Sequence, residues 1–227
     1  MLPTSHPDGR PRWGLGDALV AYAMAFVGSL VLVAVVKDPS NPTMEESVLL
    51  NLPLWIFTIG FPLWATRTKG DGPVRDLRLT ARWYDLPMGV AAGLAAQVAL
   101  PFLYRIFVSE RTLERLDDPA RQLADSAGST FAKVLFALTT VLVAPFAEEL
   151  FYRGLVMRAL ERRTGIWPAL GITTVVFAAL HFQGLQLVGL VVAGGVFGVL
   201  AVVTGRLGPA IAAHMAFNGL AVYQLLR

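Results

Sequence analysis

Apolar residues run through this 227-residue chain in long unbroken blocks. Five stretches hold no Asp, Glu, Lys or Arg: Ala18–Val36, Ser47–Thr66, Leu86–Tyr104, Thr164–Gly205 and Leu207–Leu226, of 19, 20, 19, 42 and 20 residues. A helix that crosses a bilayer needs about 20 mostly apolar residues, so four of these fit one span and the longest fits two. A shorter uncharged run, Val134–Ala147, adds one more. The pattern predicts spans at 18–36, 47–66, 86–104, 131–150, 166–182, 187–204 and 209–226. In hydrocarbon the backbone must satisfy itself, so segments of this length are helices. The expected fold is all-α: a polytopic transmembrane helical bundle of about 7 spans, or eight if a re-entrant or amphipathic helix adds one. The spans leave no room for a separate soluble domain, so 1–227 reads as one membrane-embedded domain with a flexible tail at 1–14.

Composition agrees. Charged residues are 15% of the chain and mean hydropathy is +0.58, which excludes a water-soluble globule. The net charge of +3 resides in loops beside the spans, and no basic stripe with interleaved aromatics points to nucleic acid. Cysteine is absent, which excludes disulfides and thiolate chemistry. With the N-terminus inside, twelve of the nineteen basic residues fall on the inner side, in the tail and in loops at 67–85, 151–165 and 205–208. Seven fall outside, so the expected placement is a multi-pass protein of the cell membrane with a cytoplasmic N-terminus. Ala18–Val36 exceeds a usual signal-peptide core and is read as a retained span. Segment 105–130 reads as a surface amphipathic helix with a thin apolar face of Leu113, Leu116 and Leu123.

Three charges stand where the pattern allows none. Phe131 to Arg163 reads as one helix of 33 residues, which carries Glu148 and Glu149 into the membrane. An ionised carboxylate there costs roughly 2.5–3.5 kcal/mol, so an adjacent pair needs a reason. Arg153 lies four residues after Glu149 and can pair with it. Glu148 points about 100° away, toward Tyr152, and is left as a carboxylate available for chemistry. His6 lies in the tail and is given no role. His181 ends an apolar span, and His214 shares a face with Asn218. A turn at Thr164–Gly165 places Glu148 and His181 at matching heights, about 24–26 Å along straight helices, or about 15 Å below the inner surface once the protruding Arg158–Arg163 end is subtracted. His214 and Asn218 come to about 9 and 15 Å from the other inner turn.

These residues resemble three family motifs. Glu148-Glu149-Leu150-Phe151-Tyr152-Arg153-Gly154 looks like EExxxR, Phe177–His181 like FxxxH, and His214–Asn218 like HxxxN. In this order they are the signatures of the CPBP family, the type II CAAX prenyl endopeptidases and bacteriocin-processing or immunity enzymes, also called Abi. The resemblance makes 131–226 the catalytic core and implies an intramembrane endopeptidase cutting near the cytoplasmic face. Glu148 would activate water with His181, while His214 and Asn218 stabilise the oxyanion. Glu149 and Arg153 would position the helix. Implied partners are the lipid bilayer and a peptide or protein substrate, prenylated or leader-bearing. No metal is favoured as cofactor, because the HExxH arrangement is missing; zinc on Glu148, His181 and His214 is the alternative. The alternative function is a non-enzymatic immunity, scaffold or transport protein that binds through the same polar cluster. Gly189, Gly194, Gly195 and Gly198 read as helix-packing contacts.

Overall fold

Polar groups at helix ends and apolar groups between them decide where each element starts and stops. The computed structural model describes residues 11–36, 38–109 and 118–227. The expectations for His6, for the tail at 1–10 and for Leu113 and Leu116 lie outside the described residues.

Helix α1 (Leu15–Val33) opens where the Gly14 N–H donates to the Asp17 carboxylate at 2.9 Å. Helix α2 (Met44–Lys69) opens on a reciprocal cap: Thr43 Oγ1 accepts from the Glu46 N–H, and the Thr43 N–H donates back to Glu46. A short helix α3 (Pro73–Asp76) precedes α4 (Asp85–Phe107) and α5 (Asp118–Asp125). Helix α6 (Thr130–Thr164) runs 35 residues and ends at Gly165, whose φ of +83° stops it. Helices α7 (Ile166–Ala179), α8 (Leu187–Thr204) and α9 (Gly208–Leu226) complete the chain. No strand occurs among the described residues.

Five helical segments are long and apolar enough to cross a membrane: Leu15–Val33, Met44–Lys69, Asp85–Ile106, Thr130–Thr164 and Gly184–Thr204. The other two expected spans differ for physical reasons. Helix α7 stops at Ala179 after 14 residues, because the chain turns at Leu180–Gln183 instead of continuing to 182. Helix α9 has span length, but His214 and Asn218 dilute its apolar character. Large apolar side chains such as Leu19, Phe26, Phe102, Ile106 and Phe131 face outward, while Glu149, Arg153 and His214 are buried. This is the distribution a lipid solvent produces, and the chain is a multi-pass helical membrane protein.

Close helix contacts rest on glycine, at positions only partly anticipated. A β-carbon at Gly89 or Gly93 would collide with Pro209–Ala213, which lets α4 and α9 touch backbone to backbone. At Gly189 it would strike Tyr104, and at Gly198 Leu170. At Gly194 it would come within 2.9 Å of Phe177. Gly195 faces open space and is not a packing contact.

The loops expected on the inner side meet at one end of the bundle. Leu207 and Gly208 N–H groups donate to the Arg78 and Thr80 carbonyls, both at 3.0 Å. Asp85 binds Arg206 in a fork, Lys69 binds Asp17, and Glu161 accepts from Arg78 and Arg158. The last residues of the expected tail are held there. Trp13, 2% exposed, donates from Nε1 to Asp76 at 3.0 Å, and its ring lies 4.0 Å from the Arg162 guanidinium. Flexibility at 11–14 is therefore corrected: an indole that can bury its ring, pair its N–H and stack a cation stays put.

Candidate active site

Pro145 shapes the approach to the glutamate pair. Ahead of it α6 widens into a π-turn at Thr139–Val143, where the Ala144 N–H donates to the Thr139 carbonyl five residues back. In that register the Thr140 carbonyl would need the N–H of residue 145, and proline has none. Asn218 supplies the missing donor from α9: its Nδ2 donates to the Thr140 carbonyl at 2.9 Å. A second π-segment, Glu149–Val156, follows after the five α-helical residues Ala144–Glu148, closed by the Met157 N–H donating to Tyr152. Such widened turns cluster at functional sites, and this one carries the motif from Glu149 to Gly154, with Glu148 on the α-helical turn just ahead of it. Its extra residue per turn shortens the helix between Thr164 and Glu148, which lowers Glu148 toward His214.

Glu149 is the buried member of the pair. It is 0% exposed and Arg153 is 1% exposed, with Nη1 donating to Glu149 Oε1 at 2.9 Å. Arg153 is completed by the Gly194 carbonyl at 2.7 Å and by the Phe177 ring, 4.6 Å from its guanidinium carbon. Glu149 Oε1 also accepts from His214 Nδ1 at 2.9 Å. The Glu149 carboxylate therefore fixes the imidazole of His214 as well as the helix, an extension of the positioning role expected for it. Phe197, stacked 4.4 Å from the His214 ring, clamps its other face.

His181 is fixed the same way from another helix. Its Nδ1 donates to the Phe177 carbonyl at 2.7 Å, and its ring packs 4.7 Å from that of Phe177. The next residue, Phe182, has a φ of +54°, a left-handed conformation that a bulky L-residue adopts at a cost of about 1–2 kcal/mol. That strained residue lies in the turn after the helix end at Ala179 and takes the chain away just beyond His181. With both Nδ1 atoms committed as donors to acceptor-only groups, each neutral ring presents the Nε2 lone pair.

Both Nε2 atoms face one oxygen. Glu148 Oε2 lies 3.8 Å from His214 Nε2 and 3.9 Å from His181 Nε2, and it has no hydrogen-bond partner. These gaps are too wide for direct hydrogen bonds and invite an intervening atom. Glu148 opens onto a cavity of 260 Å³ lined by Tyr22, Asn51, Trp55, Thr58, Tyr152 and His181 among others. The structure thus brings together Glu148, Glu149, Arg153, His181 and His214; Asn218 is held at Thr140, one turn along α9 from His214.

Zinc was the alternative ligand for Glu148, His181 and His214. The donor types suit it, and so does the second hydrogen bond on each imidazole. The spacing does not: a tetrahedral ion about 2.0–2.1 Å from each ligand draws donor atoms to roughly 3.3 Å. Among the described residues no group of three such side chains is placed to hold a metal ion.

Sequence reasoning missed Phe197 and the α2 wall of the cavity. Phe197 sits in a span without polar neighbours, so nothing singled it out. In α2 the signal was Pro53 and Pro62 inside a span, which mark it as irregular.

Residues 130–220 match the model of the family described as Type II CAAX prenyl endopeptidase Rce1-like. The match covers 91 of the 227 residues and includes all three motifs, so the resemblance holds for this part of the chain. No curated protein and no solved structure matches the chain.

Proposed function

We propose that this multi-span membrane protein, Rce1-like over its motif-bearing part, is an intramembrane endopeptidase. It would hydrolyse a peptide bond of a membrane-associated or lipidated peptide or protein near the cytoplasmic face, with its N-terminus on that side. The observation that carries the reading is the convergence of His181 Nε2 and His214 Nε2 on the unpartnered Glu148 Oε2.

A water in that gap can donate one hydrogen to Glu148 and another to His181. Its oxygen attacks the scissile carbonyl carbon while Glu148 takes the proton as general base. The carbonyl oxygen becomes an oxyanion, which the remaining N–H of Asn218 would stabilise together with His214, whose Nε2 first takes up a proton from solvent and keeps it through the cycle. Glu149, held by Arg153, supports the imidazolium as a buried carboxylate does in a hydrolase triad. The C–N bond then breaks, Glu148 returns its proton to the leaving nitrogen, and a carboxylic acid and an amine depart. No metal takes part in this route. Zinc on Glu148, His181 and His214 is the second reading, favoured by the two committed Nδ1 atoms; strict chelation that abolished cleavage would support it.

The test is a peptidase assay on the reconstituted protein, with apolar, prenylated and leader-type peptides, run beside Glu148→Ala. Cleavage by the wild type that falls at least about 100-fold in the variant supports general-base catalysis. Equal cleavage by both would contradict it. If both bind peptide without cutting, a non-enzymatic binding role takes its place.

A further inference from the structure

A peptide bond inside a helix is shielded, because its carbonyl accepts from the helix and its flanks are crowded. A membrane-embedded substrate must therefore unwind before Glu148 can serve it, and this inference rests on that hydrolytic reading. Unwinding exposes peptide N–H and C=O groups where lipid offers no partner. The protein has to supply them.

The 260 Å³ cavity beside Glu148 carries polar groups that no neighbour uses. Asn51 donates its Nδ2 to the Ser47 carbonyl at 2.8 Å, which leaves Oδ1 as a free acceptor in the wall. Gln183, two residues beyond His181, has a side-chain amide with no partner among the described residues, offering a donor and an acceptor. Pro62 lacks the N–H that would bond the Thr58 carbonyl four residues back, so that carbonyl has no α-helical donor. Leu54, Trp55 and Leu180 give the wall an apolar stretch, and Tyr22 and Tyr152 complete it with their rings and hydroxyls.

We infer that Asn51 and Gln183 are substrate-positioning residues that pair with the main chain of an unwound peptide beside Glu148. A carboxamide matches a peptide group donor for acceptor, so recognition here reads the backbone and tolerates varied side chains. The substrate class is an extended apolar segment.

The probe is acetyl-Ala-Leu-Leu-Ala-amide, titrated calorimetrically into Glu148→Gln protein in detergent so that nothing is cut. Its partner is the same peptide with the central amide replaced by an ester, which removes one N–H. The expected result is about tenfold weaker binding of the ester, the worth of one hydrogen bond. Adding Asn51→Leu erases that preference, and adding Gln183→Leu weakens both ligands about tenfold. Equal affinity for amide and ester in the parent, a preference that survives Asn51→Leu, or no peptide binding would overturn the inference. The parent comparison needs no new wall variant, so it decides even where Asn51→Leu fails to fold. Incubating the peptide with wild-type protein separates the two readings: selective binding without cleavage keeps the backbone contacts and removes the hydrolysis.

Discussion

Two clusters of charge hold this molecule, one buried around Glu149 and Arg153 and one at the end of the bundle around Asp17, Lys69, Asp85 and Arg206. Both join elements far apart in sequence. The buried cluster is dry, and each member relies on the others, since Arg153 rests on Glu149, Gly194 and Phe177 at once. In the end cluster water reaches the Lys69–Asp17 pair, Lys69 being 36% exposed, while Asp85 beside Arg206 is buried. The same ion-pair chemistry therefore has different consequences. A buried pair becomes costly when one partner is lost, whereas an exposed pair is worth about 0–1 kcal/mol.

The largest effect is expected from Arg153→Ala. It leaves Glu149 charged without a counter-ion and should cost about 3–5 kcal/mol, read as a large drop in thermal stability in detergent. The double variant Glu149→Leu, Arg153→Met sharpens the point. Replacing the whole pair with apolar side chains should restore much of the stability, yet activity should stay lost because His214 has no carboxylate behind Nδ1. Next in size is Phe182→Gly, which removes the left-handed strain and should gain about 1 kcal/mol while loosening His181 and lowering the catalytic rate. Lys69→Ala should cost less than about 1 kcal/mol and leave catalysis alone.

The smallest effect is a pH dependence at the bundle end. Burial pushes the Asp76 carboxyl above the usual range, against the hydrogen bond from Trp13. A folded value above the unfolded value means that the folded state holds its proton longer. The ionised group therefore weakens the fold, and that penalty fades as pH falls through the folded value. Asp76→Asn should be slightly more stable than wild type at about pH 7 and equal to it at about pH 3.5, below the unfolded carboxyl range. Melting curves at the two conditions check the sign.

The two halves of the chain were legible to different degrees, and for a physical reason. Glu148, Glu149 and Arg153 stood out because charge in an apolar run is expensive, and His181 and His214 because imidazoles are rare in spans. The convergence at Glu148 follows from helix length alone to within about a turn. The misfit, His214 meeting the glutamates while Asn218 reaches back to Thr140, comes from the π-turns around Pro145, which straight-helix arithmetic cannot register. The wall from α2 was marked only by the prolines inside it: Asn51 and Thr58 cost little individually, and only the cavity they share with Glu148 and His181 gives them a place. Trp13 was hidden in a proline-rich start, its partners Asp76 and Arg162 lying 63 and 149 residues away.

The central claim is that Glu148 is the base of a hydrolytic site. Membranes from cells carrying the wild-type chain or Glu148→Gln at equal levels can be compared by peptide-level mass spectrometry for uncut precursors and new termini. The account predicts precursors that accumulate, with matching new termini that vanish, only in the variant. Identical termini in both membranes would contradict it.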